Sequence, residues 1–168
     1  SATLNAGDVF NGGMGNDTLS VAGLPGSQPF NSYDFTQTTI LSVETLSLSN
    51  PSTSYALVLY FDSAQFGAGL SNSLNVDGGG DAAWIYVNMS APGVFTTADW
   101  TFTNFSQCEV RISGSTGTDT ITVGGAYVIG FSVDGGNGND VIDGSQALRA
   151  SLGGSLGDDT LIGATGGI

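Results

Sequence analysis

The sequence predicts an all-β chain wound as a right-handed parallel β-helix or β-roll solenoid, and three observations lead there. A nine-residue phrase of glycine and aspartate recurs: Gly12–Ser20 reads GGMGNDTLS, Gly114–Thr122 GSTGTDTIT, Gly135–Asp143 GGNGNDVID and Gly154–Ile162 GSLGDDTLI. Glycine makes up 27 of 168 residues, well above the usual share of about 7%, yet the apolar content is that of a folded chain. Good helix formers never run at helical spacing without interruption by glycine or β-branched residues.

Each phrase has a physical reading. Its six glycine-rich residues bend the chain sharply and take positive φ values that other residues avoid, and the following triplet suits a short strand with one aliphatic side chain turned inward. Two such halves close one flattened turn, so that a residue about 18 positions on stacks above its counterpart at roughly 4.8 Å. Asp119, Asp140 and Asp159 recur at slightly more than that spacing, which puts them in one column with small insertions in the loops.

Carboxylates stacked at roughly 5 Å repel one another unless a cation lies between them. Calcium suits such a corner, because it takes about 6 to 8 hard oxygen ligands and the turns offer both carboxylates and glycine-loop carbonyls. The expected metal ligands are Asp119, Asp140 and Asp159, with Asp158 and the loop residues Gly117, Gly135, Gly138 and Gly157 beside them. Asp8, Asp17 and Asp81 are candidates in other turns. The three-aspartate column is expected to hold roughly two ions.

Taken in order, the chain opens with two half-coils. Ala6–Phe10 is a worn copy in which Asp8 and Phe10 precede Asp17 and Leu19 by one phrase length, so Asp8 and Asp17 fall on opposite sides of a coil and share no ion. Each needs a partner one coil away, and Asp34, close to one coil beyond Asp17, is a weak one because it lacks the glycine setting. Val21–Thr39 carries two prolines and several turn formers and reads as a loop excursion. Ile40–Ser49 alternates apolar and polar residues as a strand does, and Tyr55–Phe61 and Trp84–Val87 are further strands rich in aromatic and β-branched residues. Asn75–Asp81 is a shortened glycine-aspartate turn. Short helical turns are expected near Ser63–Phe66 and Thr97–Trp100. Tyr127–Val133 supplies strand between the second and third phrases, and Gln146–Leu152 fills a half-coil without acids.

Composition excludes several classes of function. The net charge of −13 comes from 15 acids against Arg111 and Arg149, with no lysine and no histidine, so there is no basic patch for nucleic acid. Ten of the 15 acids lie in or beside glycine-rich turns, which favours ligation over general solubility. Without histidine, the common serine and cysteine triads and imidazole zinc sites are absent. Glu44 and Glu109 could pair as glycosidase carboxylates, but they are far apart in sequence and simple exposure at the surface is the expected explanation. Cys108 is single, so an internal disulfide cannot staple the fold. No apolar run reaches the length of a membrane span. Ten of 16 aromatic residues fall between Tyr55 and Phe105, filling the interior or forming a contact patch for a neighbouring subunit or a sugar polymer.

The phrase itself resembles the calcium-binding nonapeptide GGxGxDxUx of RTX, or hemolysin-type, β-roll proteins. The match covers Gly12–Ser20, Gly114–Thr122, Gly135–Asp143 and Gly154–Ile162, and the middle, with SVETLSLS at Ser42–Ser49, is similar to β-helical spacers of large bacterial surface proteins such as S-layer proteins and adhesins. The resemblance implies a single solenoid domain over residues 1–168, expected to be a piece of a longer polypeptide. It also implies export by type I secretion, folding driven by calcium outside the cell, and a non-catalytic structural role with self-association or contact with neighbouring subunits. A carrier module of an exported protease, lipase or epimerase, and a ligand-binding adhesin domain, are the alternatives.

Overall fold

Every strand pairing described in the computed structural model is parallel, and successive passes of the chain add strands to shared sheets. The structure describes residues 4–24, 30–49, 56–80, 82–125 and 130–164. The first pass lays down β1 (Val9–Asn11), β2 (Thr18–Ala22) and β3 (Phe30–Asp34), and the second lays β4 (Thr39–Leu41), β5 (Val43–Ser49) and β6 (Ala56–Asp62) on them in the same order. A single 3-10 turn at Ser63–Gln65 then precedes β7 (Leu70–Asp77) and β8 (Ala82–Asn88). The following passes supply β9 (Val94–Thr96), β10 (Thr101–Thr103) and β11 (Gln107–Ser113), then β12 (Thr120–Gly124) and β13 (Gly130–Asp134), then β14 (Val141–Gln146) and β15 (Arg149–Gly153), and last β16 (Thr160–Ile162).

The resulting sheets run β1-β4, β2-β5-β7-β10, β3-β6-β8-β11-β13-β15 and β9-β12-β14-β16. The chain is therefore all-β with parallel sheets, an architecture compatible with a β-helix or roll. Among the described residues no helix is long and apolar enough to cross a membrane.

Period-2 burial explains why these segments are strands. In β8 the pattern is Ala83, Ile85 and Val87 buried between half-buried neighbours, and the register stacks Leu59, Ile85, Val110 and Phe131 in one inward row. Aromatic rings fill the wider first passes. Phe35 stacks on Phe61 at 5.0 Å, Phe66 lies against Trp100 at 5.0 Å, and Phe102 meets Phe131 edge-on at 6.3 Å. Each fully buried ring contributes about 1.5–3 kcal/mol of transfer free energy. On the outer face of the third sheet, Tyr60 stacks on Tyr86, and Arg111 covers the same ring while pairing with Glu109 at 2.9 Å.

Several expectations change. Over most of the chain the coil is longer than the phrase spacing predicts: Val9 pairs with Thr39, Thr18 with Thr45 and Thr120 with Val94, whereas Val141 pairs with Thr160, close to the predicted step. The longer passes carry three strands where the later ones carry two, and the largest sheet stacks six strands. Val21–Thr39 is not one loop excursion, since β3 runs through its middle and pairs with β6. Proline and turn residues mark the ends of that segment and hide the short strand between. Ile40–Ser49 is two strands on two sheets, because Ser42 takes φ +53° and turns the chain between β4 and β5. Thr97–Trp100 is one hydrogen-bonded turn, with Trp100 N–H donating to the Thr97 carbonyl, and not a helix. The strands expected at Tyr55 and at Tyr127 are strand from Ala56 and Gly130 onward, and their opening residues lie outside the described ones.

Candidate metal centre

The second to fourth phrases form successive turns at one corner, leading into β12, β14 and β16. Their glycines are there because backbone lies directly on backbone. A Cβ on Gly157 would fall 1.6 Å from the Gly138 carbonyl oxygen, and one on Gly138 would fall 2.6 Å from the Gly117 carbonyl carbon. Gly138 and Gly157 also take φ of +134° and +138°, a region that L side chains avoid. Amides knit the turns: Gly138 N–H donates to the Leu156 carbonyl at 2.8 Å, and Leu156 N–H to the Gly136 carbonyl at 3.0 Å.

Inside this corner the aspartates stand one above another. Asp119 and Asp140 are buried, at 0% and 1% exposure, and Asp159 is half-buried. Two of the carboxylates accept the backbone N–H of the aspartate one pass earlier: Asp119 N donates to Asp140 Oδ1 at 2.8 Å, and Asp140 N donates to Asp159 Oδ1 at 2.9 Å. Asp119 Oδ1 accepts from Gly93 N at 2.8 Å and its Oδ2 from Ser115 N at 2.7 Å. The amide ladder offsets part of the repulsion that stacked charges create, a contribution that spacing alone does not reveal.

The ladder leaves a gap. Asp140 Oδ2 is buried and has no hydrogen-bond partner. It points at the opening glycine of its own phrase, where a Cβ on Gly135 would be 2.5 Å from Asp140 Oδ2 and 2.9 Å from the Gly154 carbonyl oxygen. Two acceptors thus converge on one space.

A similar arrangement recurs at a different corner. The phrase at Gly12–Ser20 leads into β2, on the second sheet, and not onto the column of the other three. Asp17 Oδ2 is buried and without a partner, and a Cβ on Gly12 would meet the Ser42 carbonyl oxygen at 2.1 Å and the Asp17 carboxyl carbon at 2.7 Å. Asp17 N donates to Glu44 Oε2 at 2.8 Å, so Glu44, and not Asp34, is the acid one pass away. Asp34 ends β3 on the third sheet and caps Thr36 instead. Glu44 was legible in the sequence: Asp17–Ser20 is DTLS and Glu44–Ser47 is ETLS.

The remaining candidates are more scattered. Asp8 precedes β1, its carboxylate accepts from Asn5 N at 2.9 Å, and the register of β1 on β4 places Thr38 rather than an acid above it. Asp8 and Asp17 stand at successive corners of one pass, entering the first and second sheets. Asp158 is exposed, with its N–H donating to Asn139 Oδ1. Asp81 lies outside the described residues. Glu109 stands on the outer face of the third sheet, and Glu44 belongs to a corner of the second, so the sequence pair forms no common site. Among the described residues no three acidic or cysteine side chains converge, so any metal here would depend on backbone carbonyls as much as on carboxylates. Asp143 has its pKa lowered by the hydroxyl and amide of Ser145. Comparison with protein-family models, with curated proteins and with solved structures finds no match to this chain.

Proposed function

We propose that the chain is a non-catalytic, calcium-ligating structural module of a secreted or cell-surface assembly, built as a right-handed parallel β-helix that narrows into a β-roll. The handedness follows the rule that parallel strands joined by crossovers wind right-handed in about 98% of cases. The observation that carries the calcium reading is the buried Asp140 Oδ2, which has no donor and faces the space it shares with the Gly154 carbonyl. Leaving a buried charged acceptor unmatched costs more than about 1–3 kcal/mol, and a hard cation is the partner that satisfies a carboxylate and a carbonyl together.

The residues fit such an ion. Asp140 and the Gly154 carbonyl would hold one, and Asp17 with the Ser42 carbonyl and the Glu44 carboxylate would hold another. When bound, calcium supplies the positive charge that joins one pass to the next. Water completes the shell at sites with so few protein oxygens, which places the affinity in the class of about 10⁻⁴–10⁻³ M seen in extracellular modules. That range matches a setting outside the cell.

The test is thermal unfolding followed by circular dichroism in chelator, in millimolar calcium and in millimolar magnesium. Calcium is expected to raise the midpoint and magnesium to do so much less. Identical midpoints in all three would sink the reading.

A further inference from the structure

The Asp119 and Asp140 corners come from the same phrase yet treat their carboxylates differently. At Asp119 both oxygens are taken by amides, from Gly93 and Ser115. At Asp140 only Oδ1 is taken, by Asp119 N. The residue equivalent to Ser115 is Gly136, which takes φ +88° and donates its N–H to Asp134 Oδ1, away from the column. Ser115 is buried, is outside the positive-φ region, and keeps its N–H turned inward.

We propose that the Ser115 amide takes the place of a cation. It occupies the Asp119 oxygen whose counterpart at Asp140 is left for a divalent, oxygen-seeking metal, so the aspartate column loads at Asp140 and not at Asp119. The inference rests on the calcium reading above and sharpens it: three aspartates at repeat spacing do not make equal sites. The side chain of Ser115 is incidental to this role, since its hydroxyl bonds only within its own turn, to Gly117. The backbone conformation at the second position of the phrase is what decides, and residue type alone does not set it, since Ser155 at the same position of the last phrase takes φ +69°.

Calcium uptake by the full chain, measured by equilibrium dialysis on the wild type, Asp119→Asn, Asp140→Asn and Ser115→Ala, tests this. Deuterium exchange at the Ser115 amide, with and without calcium, is the companion readout. Asp140→Asn is expected to bind one calcium fewer than the wild type, and Asp119→Asn and Ser115→Ala the same number as the wild type. The Ser115 amide should be protected equally in both conditions. Loss of one calcium on Asp119→Asn, or protection of Ser115 that rises about tenfold or more only when calcium is added, would overturn the proposal. Should Asp119→Asn fail to fold, exchange at Ser115 in the wild type decides alone. A wild type that takes up no calcium overturns the reading beneath, a result distinct from either of these.

Discussion

Replacing Asp140 by asparagine should stabilise the chain in chelator and remove the stabilisation that calcium brings. In the metal-free chain Oδ2 is buried without a donor while Oδ1 accepts from Asp119 N. Asparagine keeps the Oδ1 acceptor and puts an N–H₂ group where Oδ2 was, facing the space shared with the Gly154 carbonyl. That removes an unmatched acceptor worth about 1–3 kcal/mol. At about 2–4 °C per kcal/mol for a chain of this size, the midpoint in chelator should rise by about 2–12 °C. Calcium should narrow that difference, and reverse it where the orphaned oxygen costs less than binding returns. A site with a Kd of about 10⁻⁴ M gains about 2.7 kcal/mol at roughly 100 times that concentration, and the neutral variant forgoes that gain. Differential scanning calorimetry of the two proteins in chelator and in about 10 mM calcium reads both shifts. If Asp140→Asn lowers the midpoint equally in both buffers, the carboxylate is already satisfied within the protein, and the reasoning from the orphaned oxygen fails.

The corners and the interior each allow a further prediction. Gly138→Ala should cost more than about 2 kcal/mol by chemical denaturation, because its Cβ would sit 2.6 Å from the Gly117 carbonyl carbon at φ +134°; Gly163→Ala, with nothing within 4 Å, should stay within about 0.5 kcal/mol. Burial, and then the neighbouring Glu109, push the Cys108 thiol from 9.0 up to about 12. A raised folded pKa means that both states keep the proton below 9.0, while above it the unfolded chain ionises first and stability falls as pH rises towards about 12. The slope is at most about 1.4 kcal/mol per pH unit, and a Cys108→Ala variant should lack that component when the two are compared by urea unfolding from pH 8 upward.

Much of the corner was legible in the sequence because glycine and aspartate there answer to local demands. The spacing of Asp119, Asp140 and Asp159 put them in one column, and the glycines between them marked turns that admit no Cβ. The length of the first passes was not legible, since a strand such as β3, with its mixed FNSYD sequence, declares itself only through the neighbour it pairs with. Ser42 shows the same limit: nothing in ILSVETLSLS announces that a serine will take positive φ and send its two halves to different sheets. The amides that meet the aspartates were also beyond reach. A carboxylate's partner in a stacked turn is a backbone N–H supplied by register, as Gly93 and Ser115 supply Asp119, and register leaves no mark in residue type.

The aromatic middle of the chain and its last passes are held by different forces, and of these two calcium should act on only the last passes. From β6 to β11 the interior is lined by Phe61, Phe66, Phe95, Trp100 and Phe102 in contact with one another, and that burial is indifferent to ions. Beyond β12 the passes shorten and the enclosed side chains shrink, with Ala150 stacked where Phe131 stood one pass earlier. Leu161, which continues the inward row of Ile121 and Ile142, is already 46% exposed. Here the amide ladder and the aspartate corner carry a larger share of the stability. Deuterium exchange should therefore show Val141–Gln146 and Thr160–Ile162 losing protection in chelator, while Ala82–Asn88 keeps its own. Uniform loss across all three strands would mean that the chain unfolds as one unit and that the aromatic interior does not stand apart from the corner.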